Sequence, residues 1–136
     1  MKGDYAVEAI RRRFAETGSP TRIPLLRQGE FTATLTPEGI TVDNLGNQPF
    51  LPWAVFKEAI NVLVRNNGRA NRGDAMGATL GEPDLSLNSI EGHIALVVYG
   101  KQPGDTVFRR ITPVACILIW ANLCEASPRE LVLKDV

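Results

Sequence analysis

Two cysteines, one histidine, two methionines and two tryptophans are few for 136 residues, and each scarcity excludes something. Cys116 and Cys124 lie eight apart in one apolar helical pattern, about 12 Å along an axis, too far for a bridge between them. They read as buried free thiols in a reducing cytoplasm. A single His and no CxxC pair leave no zinc pattern. Charge of one sign is also missing: fifteen basic and fifteen acidic side chains cancel. A basic tail that coats nucleic acid and an acidic solvating tail are both excluded. No run approaches the roughly 20 apolar residues of a membrane span. The longest, Val114 to Leu123, is interrupted by Asn122. The start carries Asp4 and Glu8 and no apolar stretch, so it does not read as a signal peptide. No Walker or dinucleotide glycine pattern occurs. No metal, cofactor or membrane is therefore expected, and the expected location is cytoplasmic.

What is present is an ordinary globular composition, 44% hydrophobic and 22% charged. It fits one domain over 1–136. Ala6, Val7, Ile10 and Phe14 recur at helical spacing from Asp4 to Thr17, with Asp4 as the expected cap. Gly18 to Gly29, with Pro20 and Pro24, reads as a stiff hinge between that helix (1–18) and a body (30–136). Phe31, Ala33 and Leu35 alternate with threonines, Thr36-Pro37-Glu38-Gly39 is a turn, and Ile40 and Val42 resume the alternation: a hairpin. Leu131-Val132-Leu133 is the expected third strand.

A strong helix is expected from Pro52 to Asn66, its stripe formed by Trp53, Phe56, Ile60, Leu63 and Val64. A shorter helix is expected from Arg72 to Leu80, with Gly73, Gly77 and Gly81 allowing a close helix crossing. A third starts at Asn88, with Asn88 and Glu91 as a capping box and Leu87, Ile90, Ile94, Val97 and Val98 buried. Thr106 to Ile111 looks strand-like, and Thr112-Pro113 opens a last, apolar helix. The expected fold is thus α+β: a small antiparallel β-hairpin sheet with about five helices.

Its centre is arranged like a winged helix or helix-turn-helix, with recognition from the Asn88 helix and a wing over 101–110. Arg69, Arg72, Lys101, Arg109 and Arg110 are the candidate phosphate contacts, with Ser89, His93 and Tyr99 facing the groove of double-stranded DNA. Glu82, Asp84 and Glu91 oppose this, since they put negative charge where DNA would lie. The recognition helix also carries no Arg, Lys, Asn or Gln past its cap to read bases. The expectation is a non-catalytic DNA-binding or regulatory module. The alternative is a protein-interaction or assembly module without nucleic-acid binding, using Leu96, Tyr99 and the N-terminal helix. Val7, Ile10 and Phe14 are expected to bury against a partner chain in a homodimer. Enzyme patterns are poor: Glu91 and His93, two apart on a helix, do not face each other. Burial disfavours thiolates at both cysteines.

Overall fold

The computed structural model describes residues 3–134. Its α+β architecture comprises four α-helices, one 3-10 turn and two antiparallel sheets. Helix α1 (Asp4–Thr17) precedes strands β1 (Thr21–Pro24), β2 (Glu30–Thr36), β3 (Gly39–Val42) and β4 (Phe50–Pro52), which form a meander in that order. The expected hairpin is β2–β3, with Ala33 opposite Val42 and Leu35 opposite Ile40. Gly39 does more than end the turn: a Cβ there would lie 2.1 Å from the Leu51 carbonyl oxygen, so β4 packs onto bare backbone.

Helix α2 (Trp53–Arg65) follows, and it contacts α1, α3, α4 and strands of both sheets. Its expected stripe is buried at Phe56, Ile60 and Leu63, and Val55, Ala59 and Val62 widen it. Trp53 is only half-buried, with its indole N–H donating to the Pro37 carbonyl. Strand β5 (Arg69–Asn71), helix α3 (Ile90–Val97), helix α4 (Ile111–Trp120) and strands β6 (Cys124–Ser127) and β7 (Glu130–Leu133) complete the chain. The second sheet has the order β5-β7-β6. Leu131 to Leu133 therefore forms the middle strand of this sheet rather than a third strand on the hairpin. One contiguous buried cluster extends from Ala6 to Leu131.

Several expectations change. The segment 18–29 is not a hinge: β1 pairs along β2, and Ile23 is fully buried. Pro24 is tolerated because β1 is an edge strand, and Pro20 lies just before that strand. Helix α1 consequently docks on its own chain against α2 and α4, and Val7, Ile10 and Phe14 are buried there. The face assigned to a homodimer partner is already covered. Asp4 is the first helical residue, and Gly3 occupies the cap position.

The helix expected over 72–80 is also absent. Gly73 and Gly81 adopt positive φ, +90° and +97°, and helix interiors penalise glycine by about 1 kcal/mol each. Asp74 instead closes a turn, one carboxylate oxygen accepting the N–H groups of Met76 and Gly77. A 3-10 turn (Pro83–Leu85) leads into α3. Ser89, not Asn88, caps α3: its Oγ accepts the Gly92 N–H at 3.1 Å and donates to the Ser86 carbonyl. Val97 is 51% exposed and Leu87 39%, so the apolar face is narrower than its pattern suggests.

Residues 106–110 form no strand. Gly104 and Asp105, just before this segment, are tied to Leu80 through their backbones, and Val107 joins a satellite cluster with Leu80, Leu85 and Ala95. The middle helix and wing strand assigned by sequence are therefore not where they were expected. Cys124 begins β6 instead of sharing a helix with Cys116.

Candidate functional site

A cleft of about 720 Å³, lined on one side by residues 71–74 and 83–84, opens where three further connections meet: the β1–β2 loop, the loop entering α4 and the β6–β7 turn. Each contributes one exposed guanidinium, from Arg27, Arg109 and Arg129 respectively. Among the described residues, none of the three makes a side-chain hydrogen bond or ion pair. A fourth arginine, Arg72, is partly buried and committed to the scaffold. Its Nη1 donates to the carbonyls of Ser127 at 3.0 Å and Glu130 at 2.6 Å. Its backbone N–H donates to the Arg129 carbonyl. Arg72 thereby fixes the β6–β7 turn that presents Arg129, whose φ of 64° belongs to the turn itself.

Glu91, behind the cleft lining, holds the start of α4. It is 1% exposed, and its Oε1 accepts the backbone N–H groups of Arg110 at 2.8 Å and Ile111 at 2.9 Å. These are donors at the start of α4, which a helix cannot satisfy internally. The Glu91 N–H in turn donates to the Arg72 carbonyl. Burial pushes its carboxyl above the usual range, against the opposing pull of the two N–H groups and of Arg110 and Arg109. Gly73 makes this junction possible. A Cβ there would meet Ser89 Oγ at 2.9 Å and Glu91 Cβ at 3.1 Å.

The cleft also contains Asp74, Asp84, Gln28, Asn71 and Thr112. Four arginines against two aspartates leave the lining cationic, and one aspartate is engaged in its turn. Such a lining attracts anions, the three free guanidinium forks being suited to phosphate or carboxylate oxygens.

Of the residues singled out by sequence, Arg72 and Arg109 come together here. The others do not join them. Arg69 projects from β5 and pairs with Glu130 at 3.0 Å. Lys101 is half-buried on the loop after α3 and does not line the cleft. Arg110 is 6% exposed, its guanidinium 3.6 Å from the Tyr99 ring centroid and its Nη2 donating to Gln48 Oε1 at 2.7 Å. A side chain so engaged does not reach a phosphate.

Tyr99 is half-buried beneath it, with its hydroxyl pushed above the usual range by burial. Ser89 is buried as the α3 cap. His93 is buried against α2, its Nε2 2.8 Å from Glu58 Oε1 and its Nδ1 3.5 Å from Arg65 Nη2. Arg65 also bonds Asn88, so this polar chain clasps α2 to α3. Leu96 is half-buried.

Arg27 and Arg129 carry little sequence signal. Arg27 lies in a short loop between Pro24 and Gly29. Arg129 follows Ser127-Pro128, a turn signal between two short apolar runs. No protein-family model, curated protein or solved structure matches the chain.

Among the described residues, no three His, Cys, Asp or Glu side chains are placed to hold a metal ion. No helix of the described residues is long and apolar enough to cross a membrane. Burial raises both thiols, that of Cys124 to about 12.

Proposed function

We propose that this chain is a non-catalytic module that binds nucleic acid through its phosphates, in a cytoplasmic regulatory setting. The observation that carries the reading is the cluster of free guanidiniums, Arg27, Arg109 and Arg129, around one cleft. Phosphate contacts of this kind supply most sequence-independent affinity for nucleic acid.

The order of elements supports the same reading. From α2 the chain runs helix, strand, helix, helix, strand, strand, and the first of these strands pairs with the last. That is the order of a winged helix. On this reading α4 would stand as the third helix and the β6–β7 turn, with Arg129, as the wing. Fold order alone does not establish function; it adds support only in that Arg109 and Arg129 flank the elements that would meet a nucleic-acid backbone in that arrangement. The buried, partnered His93 and the protonated thiols favour binding over catalysis. The interaction reading through Leu96 and Tyr99 has less support, because Tyr99 is stacked under Arg110.

Fluorescence anisotropy with labelled DNA at low salt tests the proposal. The wild type should bind, and the variant Arg27→Ala/Arg109→Ala/Arg129→Ala should bind at least about a hundredfold more weakly, about 1 kcal/mol or more per lost charge-assisted contact. A charge-matched control on the α1 side, Arg11→Ala/Arg12→Ala/Lys57→Ala, should bind as the wild type does. Equal loss in both variants would mean that net charge, not the cleft, drives binding.

A further inference from the structure

We infer that the cleft receives a single, unstacked nucleic-acid strand rather than the outside of a duplex; this rests on the nucleic-acid reading above and specifies its ligand.

Three observations point the same way. First, the helix that would read a major groove is not available. Pro113 through Leu118 of α4 are buried, with α1 and β1 packed on the helix. Only its first turn reaches the cleft, through Ile111, Thr112 and Ala115. A duplex reader needs a free helix or ribbon to enter a groove about 12 Å wide. Second, the site is concave. A volume of about 720 Å³ is that of a pocket for a small molecule or a few nucleotide units, whereas the backbone of a duplex is convex.

Third, the lining holds more than phosphate binding needs. Leu25, Leu26 and Pro83 supply apolar surface among the arginines, and Leu26 remains 43% exposed although it is a large aliphatic residue. Gln28 and Asn71 add paired donors and acceptors, and Asp84 adds an acceptor. Apolar surface for base faces and amide edges for base hydrogen bonds, beside guanidiniums for phosphates, are the requirements of an unpaired strand. Arginine planes provide stacking surface in a cleft that lacks aromatic side chains.

The test compares a labelled single strand of about 16 nucleotides with its duplex and with a deoxynucleoside monophosphate as competitor, all on the full chain. The single strand should bind at least about tenfold more tightly than the duplex, the effect of accommodating one base. Leu26→Ala/Gln28→Ala, both at exposed loop positions, should remove that preference while leaving the salt dependence unchanged. Equal or tighter duplex binding would overturn the strand inference and leave the nucleic-acid reading standing. Competition by the monophosphate at the same concentration as the strand would overturn it in favour of a small-anion site. Failure of both DNA forms to bind would overturn the function itself.

Discussion

Replacing Glu91 by alanine should be among the most damaging single changes in the molecule. The carboxylate is 1% exposed, and one oxygen accepts two backbone N–H groups, those of Arg110 and Ile111. Removing it leaves both donors without their acceptor at a buried helix start. Each such loss costs about 1–3 kcal/mol, so Glu91→Ala should cost about 2–6 kcal/mol. That is a large part of the roughly 5–15 kcal/mol that holds a domain of this size folded.

Glu91→Gln retains an oxygen in the same place. It loses charge assistance to the two bonds but also removes a buried charge, so its cost should stay below about 2 kcal/mol. Urea unfolding monitored through Trp53 and Trp120 measures both values, with the slope unchanged if the unfolded states are alike. Equal destabilisation by Ala and Gln would show that the paired N–H groups are not what Glu91 secures.

The same pair tests the sign of a pH effect. Burial raises the Glu91 carboxyl in the folded state above its ordinary value of 4.5. Between 4.5 and the raised value, the folded protein holds a proton that the unfolded chain has released. Stability contributed by this group is therefore present below 4.5 and declines as pH rises through that window. Glu91→Gln should flatten that decline; an unchanged profile would contradict the assignment.

Further outcomes follow from the packing. Phe56 is fully buried on α2, and Phe56→Ala should cost about 3–5 kcal/mol in urea. Phe14→Ala should cost about the same, because α1 is docked on its own chain, and the midpoint should not depend on protein concentration. A concentration-dependent midpoint would instead point to exchange of the helix between subunits. Arg110→Ala should destabilise the fold while leaving the salt dependence of DNA binding intact, since its guanidinium is held by Gln48 and Tyr99. Cys116 and Cys124 should resist a thiol reagent at neutral pH until denaturant is added, as burial disfavours both thiolates.

Periodicity made much of the fold legible. The helices at Asp4–Thr17 and Trp53–Arg65 and the β2–β3 hairpin follow directly from apolar spacing and turn residues. The segment 72–80 misleads because Asn71 and Asp74 mimic a helix start. The Asp74 carboxylate satisfies a turn equally well, and the glycines favour positive φ. Pro24 misleads in the opposite direction, since an edge strand accommodates what a central strand cannot, and Pro20 lies outside the strand.

The candidate site was half legible. Arg72 and Arg109 stand out as charges in the sequence. Arg27 and Arg129 become neighbours of theirs only through tertiary folding, when β1 and the β6–β7 turn are brought to the start of α4. Glu91 shows the limit most clearly: its spacing from Asn88 suggests a capping box for its own helix, yet it holds the start of the next one.

The central claim, that the arginine cleft is a phosphate-binding site, is tested most directly by the salt dependence of binding to single-stranded DNA. Each neutralised phosphate contributes about −0.7 to the slope of log affinity against log salt, so three or four contacts should give about −2 to −3. In Arg27→Ala/Arg109→Ala/Arg129→Ala the residual slope, measured at the lowest salt at which binding persists, should approach zero, within about one contact's worth. A triple variant that retains the wild-type slope would contradict the account, because the phosphates would then be held elsewhere.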